Sequence, residues 1–181
     1  MILVVAATAR ELASAGTGVV TLACGIGPVE ASAATVTALT TQRPDALLHV
    51  GIAGARGIPV PQLVIGSEAV YEDASAGGLV PDTRFGPTLV SSMPRSCTSR
   101  CAGAAPIGTS AHVGRDECPR RSRRWKASRS CSAAQRAGVP AVECRAVSNE
   151  IDEPDRARWR FDDALAALDD ALPRLLAELA R

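Results

Sequence analysis

Short aliphatic and β-branched runs alternate along this chain with stretches whose apolar residues recur at helical spacing, and few folds accept that alternation. Ile2–Ala6 is a compact apolar run, readable as a buried strand, and residues 18–23 form a second that ends at Cys24-Gly25-Ile26-Gly27. From Pro28 to Gln42 the pattern turns helical, with Pro28 near the helix start and Val29, Ala33, Val36 and Leu39 on one face. Arg43-Pro44-Asp45 stops it. Residues 46–50 read as another buried strand, followed by Gly51-Ile52-Ala53-Gly54; Ile58-Pro59-Val60-Pro61 makes a turn, and Leu63–Tyr71 reads as a strand. Further on, residues 132–137 form a helix tail closed by Gly138, and 139–147 a buried strand. In the last element Phe161, Leu165, Leu168, Leu172, Leu175 and Leu179 line one face of a helix, with Asp162 and Asp163 in its first turn and Pro173 expected to kink it. Strands alternating with helices predict an α/β fold around a largely parallel sheet.

The 181 residues suit one domain with a real core. Only five are aromatic, so that core must be built from Ala, Val, Leu and Ile. Met1 leads straight into Ile2-Leu3-Val4-Val5 without a basic leader, and no apolar run approaches the ~18 residues of a membrane span. A cytoplasmic protein without a membrane segment is expected, and its six cysteines then read as free thiols rather than bridges.

Residues 93–131 differ in composition from their flanks. They hold four of the six cysteines and nine of the twenty basic residues against two acidic ones, so the formal charge is +7 inside the segment and −6 outside it. Cys97-x-x-x-Cys101 with His112 and Cys118 could bind zinc, but the spacing is irregular and no second CxxC exists. The basic run 120–129 around Trp125 could contact phosphates, although such runs are usually solvated, and a nucleic-acid partner is not expected. Neither a metal nor a cofactor is expected.

Several smaller features sit where an α/β sheet keeps its ligand crevice, beyond the strand ends. Gly25-x-Gly27 follows a strand and opens a helix like a dinucleotide fingerprint. Glu30 stands in place of the third glycine, however, and no acidic residue ends a second strand about 20 residues on. Glu11 lies just past the first strand, where a solvated helix-start carboxylate is the plain alternative. Gly51-Ile52-Ala53-Gly54 either lets backbone approach a ligand or simply turns. Ser148-Asn149 brings polar side chains to the same sheet edge. Asp152, Asp155, Arg156 and Trp159 read as an exposed loop and a helix approach.

Taken in order, Ala6-Ala7-Thr8-Ala9-Arg10-Glu11-Leu12, Gly25-Ile26-Gly27-Pro28-Val29-Glu30-Ala31, Val50-Gly51-Ile52-Ala53-Gly54 and Val142-Glu143-Cys144-Arg145-Ala146-Val147-Ser148-Asn149 resemble the nucleoside phosphorylases and nucleosidases. The resemblance covers roughly residues 1–90 and 132–181. Among its branches are the methylthioadenosine/adenosylhomocysteine nucleosidases, which carry Ser-Asp where this chain has Ser148-Asn149. The futalosine hydrolase branch carries Ser-Asn followed by Arg-x-x-Trp, here Arg156 and Trp159, and is the better fit. The resemblance implies a single three-layer domain with a central mixed, largely parallel sheet flanked by helices, residues 93–131 being anomalous within it. It also implies a small-molecule purine nucleoside substrate, no cofactor, and homo-oligomers as a common state. In that branch futalosine is cleaved to release hypoxanthine during menaquinone synthesis.

By resemblance Glu11 orients and deprotonates the attacking water, while Ile52, Ala53 and Gly54 lie beneath the ribosyl group. Ser148 and Asn149 face the purine. Asn149 has no acidic proton to give, so its role is polarisation or recognition of the base, and Asp152 or solvent is left to supply the proton. The family also carries a Met-Glu-Gly-like motif whose glutamate grips the ribose hydroxyls. No such motif stands in this sequence, and its expected place is Trp125-Lys126-Ala127-Ser128-Arg129-Ser130-Cys131. Tryptophan is always TGG and lysine begins AA, so those codons shifted back one base must contain GAA, glutamate. The full shifted reading can be (Met/Val/Leu)-Glu-Gly-Phe-Ala-Val-Leu. Parts of 93–131 are therefore expected to be translated out of frame, with 102–115 in frame.

Overall fold

The computed structural model describes residues 1–71, 84–85, 104–109 and 128–180, with side chains for 1–66 and 130–180. Strand β1 (Ile2–Ala6) leads through a 3-10 turn (Ala9–Leu12) to β2 (Val20–Ala23) and helix α1 (Pro28–Gln42). Then come β3 (Ala46–Ala55), β4 (Leu63–Tyr71), β5 (Arg84–Phe85), β6 (Ala104–Thr109) and helix α2 (Ser128–Arg136). Strand β7 (Ala141–Glu150), a 3-10 turn (Arg156–Arg158) and helix α3 (Phe161–Leu179) complete the order. The strands form one sheet ordered β2-β1-β3-β7-β4-β5, with β6 also on β4. Strands β2, β1, β3 and β7 are mutually parallel, whereas β4 runs antiparallel to β7, so the sheet is mixed, as expected.

Helices cover both faces. Alternation along the strands sends Val4, Leu48, Val50, Val142, Cys144 and Ala146 toward α3, where Ala164, Leu168, Ala171, Leu172 and Leu175 meet them. Leu3, Val5, Leu47 and Ala141 point the other way, against Ala31, Ala38 and Leu39 of α1 and Cys131, Ala133 and Ala134 of α2. Burying a leucine such as Leu168 or Leu172 completely contributes about 1.5–3 kcal/mol.

Two sequence expectations need correcting. On α1 only Leu39 of the predicted face is buried; Val29 and Val36 are 71% and 47% exposed, and the buried side is Ala31, Thr35, Ala38 and Leu39. Small residues win there because α1 packs against α2, and the buried Thr35 and Ser130 hydroxyls bond at 2.9 Å in that seam. The strands expected at 46–50 and 139–147 run on to Ala55 and Glu150, because pairing between β3 and β7 continues through Gly54↔Asn149 and Ala55↔Glu150. Gly51–Gly54 is thus strand, not turn. Helix α3 continues through Pro173, whose ring stands on the exposed side. Arg43, in a left-handed conformation with φ 48°, caps α1 just before Pro44, as the stop signal required.

Candidate active site at the strand ends

Parallel strands β1, β3 and β7 end on one edge, and the expected site residues gather there. Glu11 follows β1 in the 3-10 turn. It is not the solvated carboxylate of the plain alternative but is 6% exposed. Its Oε2 accepts from the Thr8 backbone N–H at 2.9 Å and the Thr8 hydroxyl at 2.8 Å, a capping-box arrangement. Its Oε1 accepts from the Ile52 N–H on β3 at 3.1 Å. Three donors from two elements fix the orientation of this carboxylate, and Oε1 keeps a lone pair for a further donor.

At the far end of β3 the register slips. Ala53 pairs with Val147 but Gly54 pairs with Asn149, so Ser148 is the extra residue of a β-bulge. Bulges re-aim side chains, and they concentrate beside active sites. The Ser148 hydroxyl lies 3.1 Å from the Ala53 carbonyl and 2.7 Å from Asn149 Oδ1, both acceptors for its single proton. Asn149 Nδ2 donates to the Glu150 carbonyl at 2.9 Å, which leaves its second hydrogen for another acceptor. A Cβ at Gly54 would stand 2.8 Å from that Nδ2, so glycine is what lets the amide lie against β3.

A polar cluster lies below this edge, on the α1/α2 side of the sheet. Arg145 donates from Nε to Glu143 Oε1 at 2.7 Å and from Nη1 to the Val50 carbonyl at 2.9 Å. Both side chains of the pair are buried, and His49 sits opposite Glu143 in the register. Burial pushes the Glu143 carboxyl above its ordinary range, against the pull of the Arg145 guanidinium. Burial likewise pushes up the Cys131 thiol on α2 and, more mildly, that of Cys24. Burial of both thiols disfavours the thiolate that a nucleophilic cysteine needs. A Cβ on Gly51 would collide with Arg145 Nη1 and with Glu11 Oε1, the latter at 2.7 Å.

Glu143 and Arg145 belong to the motif quoted above, where the sequence alone marks them only as part of a buried strand. The available signal was Glu-x-Arg on one face of an otherwise apolar run. Asp152, considered as a proton source, instead forms a forked ion pair with Arg56 at 2.7–3.1 Å. Asp155 caps the second 3-10 turn by accepting from the Ala157 N–H at 3.0 Å. Trp159 donates from Nε1 to the Glu153 carbonyl at 3.1 Å, with the Arg156 guanidinium 5.6 Å from its ring centroid. This segment, read as an exposed loop, is tied to the site because the Arg160 N–H bonds the Ser148 carbonyl at 2.8 Å.

At the dinucleotide-like loop the Glu30 carboxylate folds over Gly27, where a phosphate would have to sit. Among the described residues no group of three or more His, Cys, Asp or Glu side chains could hold a metal, and no helix is long and apolar enough to cross a membrane. Cys97, Cys101, His112 and Cys118, Trp125 and most of the basic run, and the expected place of the ribose-gripping motif up to Ala127 lie outside the described residues.

Residues 7–112 match the phosphorylase superfamily. The chain is 36% identical over 180 residues to a futalosine hydrolase from Streptomyces coelicolor, covering 85% of this chain and 77% of that protein. It is 33% identical over 192 residues to a futalosine hydrolase from Thermus thermophilus, covering 90% and 83%. Among solved structures it resembles 5'-methylthioadenosine/S-adenosylhomocysteine nucleosidase from Neisseria meningitidis in complex with methylthio-immucillin-A. The TM-score there is 0.78 at 21% identity, over 99% of this chain and 97% of that one, a likeness of fold. The strand-edge carboxylate, the bulged Ser-Asn and these similarities agree: the chain belongs to the futalosine hydrolase family of the phosphorylase superfamily.

Proposed function

We propose that this chain is a cytoplasmic nucleosidase that hydrolyses the N-ribosidic bond of futalosine and releases hypoxanthine, a step toward menaquinone. The observation that supports this reading most is the fixed Glu11 carboxylate, held by Ile52 N–H and Thr8 on the edge that also carries Asn149. In the reaction the C1′–N bond breaks with its electron pair leaving on the purine, and a water oxygen bonds to C1′. Glu11 takes the water's proton, general-base work that contributes about 100- to 10,000-fold in rate. Ile52, Ala53 and Gly54 form the floor beneath the ribosyl group. Asn149, oriented by Ser148, donates its remaining amide hydrogen to an acceptor of the purine, such as N7 or O6 of hypoxanthine, and so spreads the charge of the leaving base. The proton that completes hypoxanthine comes from solvent, because Asp152 is committed to Arg56.

Asn149 stands where a methylthioadenosine nucleosidase carries an acid, which favours futalosine over that substrate. A second reading, a relative that folds without catalysing, is favoured by one observation: the sequence contains no Met-Glu-Gly-like motif to grip the ribose. Out-of-frame translation within 93–131 accounts for that loss, and resequenced coding DNA tests it; absence of any compensating pair of small insertions or deletions there would sink the idea. Homo-oligomerisation is also part of the reading, with exposed Ile26, Val29 and Val36 as the apolar surface that supports it. Hypoxanthine release from futalosine by the purified chain, followed by chromatography, decides between the readings. Release establishes the hydrolase, and a folded chain that releases none overturns it.

A further inference from the structure

One ion pair beneath the site has no step in the hydrolysis just described. Glu143 and Arg145 are two residues apart on the same face of β7, their side chains 2% and 6% exposed. Glu143 faces α2, close enough for its charge to act on the Cys131 thiol, and pairs in register with His49, two residues short of Gly51. It is therefore too deep to touch a ligand at the strand ends. Arg145 is its link upward. With Nε on Glu143 Oε1 at 2.7 Å, the guanidinium reaches across to the Val50 carbonyl at 2.9 Å and fills the space that a Gly51 side chain would need. Glu11 Oε1 borders the same space, and its next contact is the Ile52 N–H.

The contacts thus run without a gap from Glu143 through Arg145 and the Val50–Ile52 backbone to Glu11. A guanidinium on a long, flexible stem stays in one place only where several acceptors hold its planar fork. A charged acceptor is the strongest of these, since bonds between ionised partners are roughly twice as strong as neutral ones. We propose that Glu143 is a positioning residue for hydrolysis: it anchors Arg145 from beneath the sheet, so that a fixed cation stands over Gly51 and holds the Glu11 carboxylate in its working orientation. The proposal rests on the reading of Glu11 as the base.

Two variants test it. Glu143→Met keeps the side-chain length without an acceptor, and Glu143→Gln keeps an acceptor oxygen without the charge. With futalosine as substrate, E143M should lose about 100-fold in kcat, the scale of a small misplacement of a catalytic group. KM should stay within about threefold, and E143Q should recover most of the lost rate. Circular dichroism confirms that each variant is folded. Hydrogen exchange of the Arg145 Nε–H, followed by nitrogen-15 NMR, reads the anchoring without any catalysis and should be slow in the parent chain, faster in E143Q and fastest in E143M. A folded E143M with unchanged kcat, or one that changes only KM, overturns the proposal. If E143M does not fold, equal Arg145 exchange in E143Q and the parent overturns it and faster exchange supports it. If the parent chain releases no hypoxanthine, the hydrolase reading fails, and the exchange series still decides whether Glu143 anchors Arg145.

Discussion

The two faces of the central sheet are built from the same strands and both bury an apolar layer, yet only one also buries charge. Toward α3, β3 and β7 present Leu48, Val50, Val142, Cys144 and Ala146 to Leu168 and Leu172 in an apolar layer. Toward α1 and α2 the alternate positions of those strands carry His49, Gly51, Glu143 and Arg145, facing a seam with the Thr35–Ser130 hydroxyl pair. Apolar packing is tolerant of detail and supplies stability. Buried polar groups must each find a partner at the right angle, which costs stability and fixes geometry. The α3 face is thus apolar, whereas the opposite face combines its own apolar layer around Leu3, Val5, Leu47 and Ala141 with the buried Glu143–Arg145 pair, which on our proposal positions the chemistry.

That contrast can be broken from either side. The largest expected effect is on the polar side: Glu11→Gln should lower kcat for futalosine hydrolysis by about 100- to 10,000-fold. Its circular dichroism spectrum should stay that of the parent chain, and a variant with near-parent kcat would remove Glu11 from the mechanism. On the apolar side, Leu172→Ala should cost about 2–5 kcal/mol in urea unfolding, since Leu172 is fully buried. Activity per folded molecule should hold, and a proportionate loss of kcat would show that the two faces do not divide the work. In the polar seam, Ser130→Ala leaves the buried Thr35 hydroxyl without its partner, at about 1–3 kcal/mol. The double variant with Thr35→Val should recover much of that, and additive losses would mean that the hydroxyl bond does not couple the helices. Smallest is Arg56→Ala, which breaks the exposed pair with Asp152 and should change stability by no more than about 1 kcal/mol. A substantial drop in kcat from that change would instead return Asp152 to consideration as part of the site.

The legible parts of the fold were those with strong local signals. Ile2–Ala6 and Leu63–Tyr71 are short, largely apolar runs rich in β-branched residues, and the leucine stripe of α3 carries a sustained helical period. Helix α1 shows the limit: its bounds were plain from Pro28 and Arg43-Pro44, but Ala and Thr dominate it, so several faces were nearly equal in hydrophobicity. The choice fell to packing against α2 and the sheet, which buries Ala31, Thr35, Ala38 and Leu39. Strand ends were lost for a similar reason, because Gly51–Gly54 and Ser148-Asn149 are strand only through pairing with each other.

At the site, the residue types and their order along the chain pointed by resemblance to Glu11, Ser148 and Asn149. What the sequence by itself determined was the class of fold, the family and the identity of these polar groups, because periodicity and motif order are properties of the chain read in one dimension. Only the tertiary structure decided that Glu11 is buried and bonded to the Ile52 N–H, that a bulge turns Asn149 over Gly54, and that Glu143 bonds Arg145 beside Gly51. Those contacts join the turn after β1 to β3, and β3 to β7, at separations of 41 residues between Glu11 and Ile52 and 95 between Val50 and Arg145. At such distances along the chain, register and backbone approach are set by how strands pair in space, which no local pattern encodes.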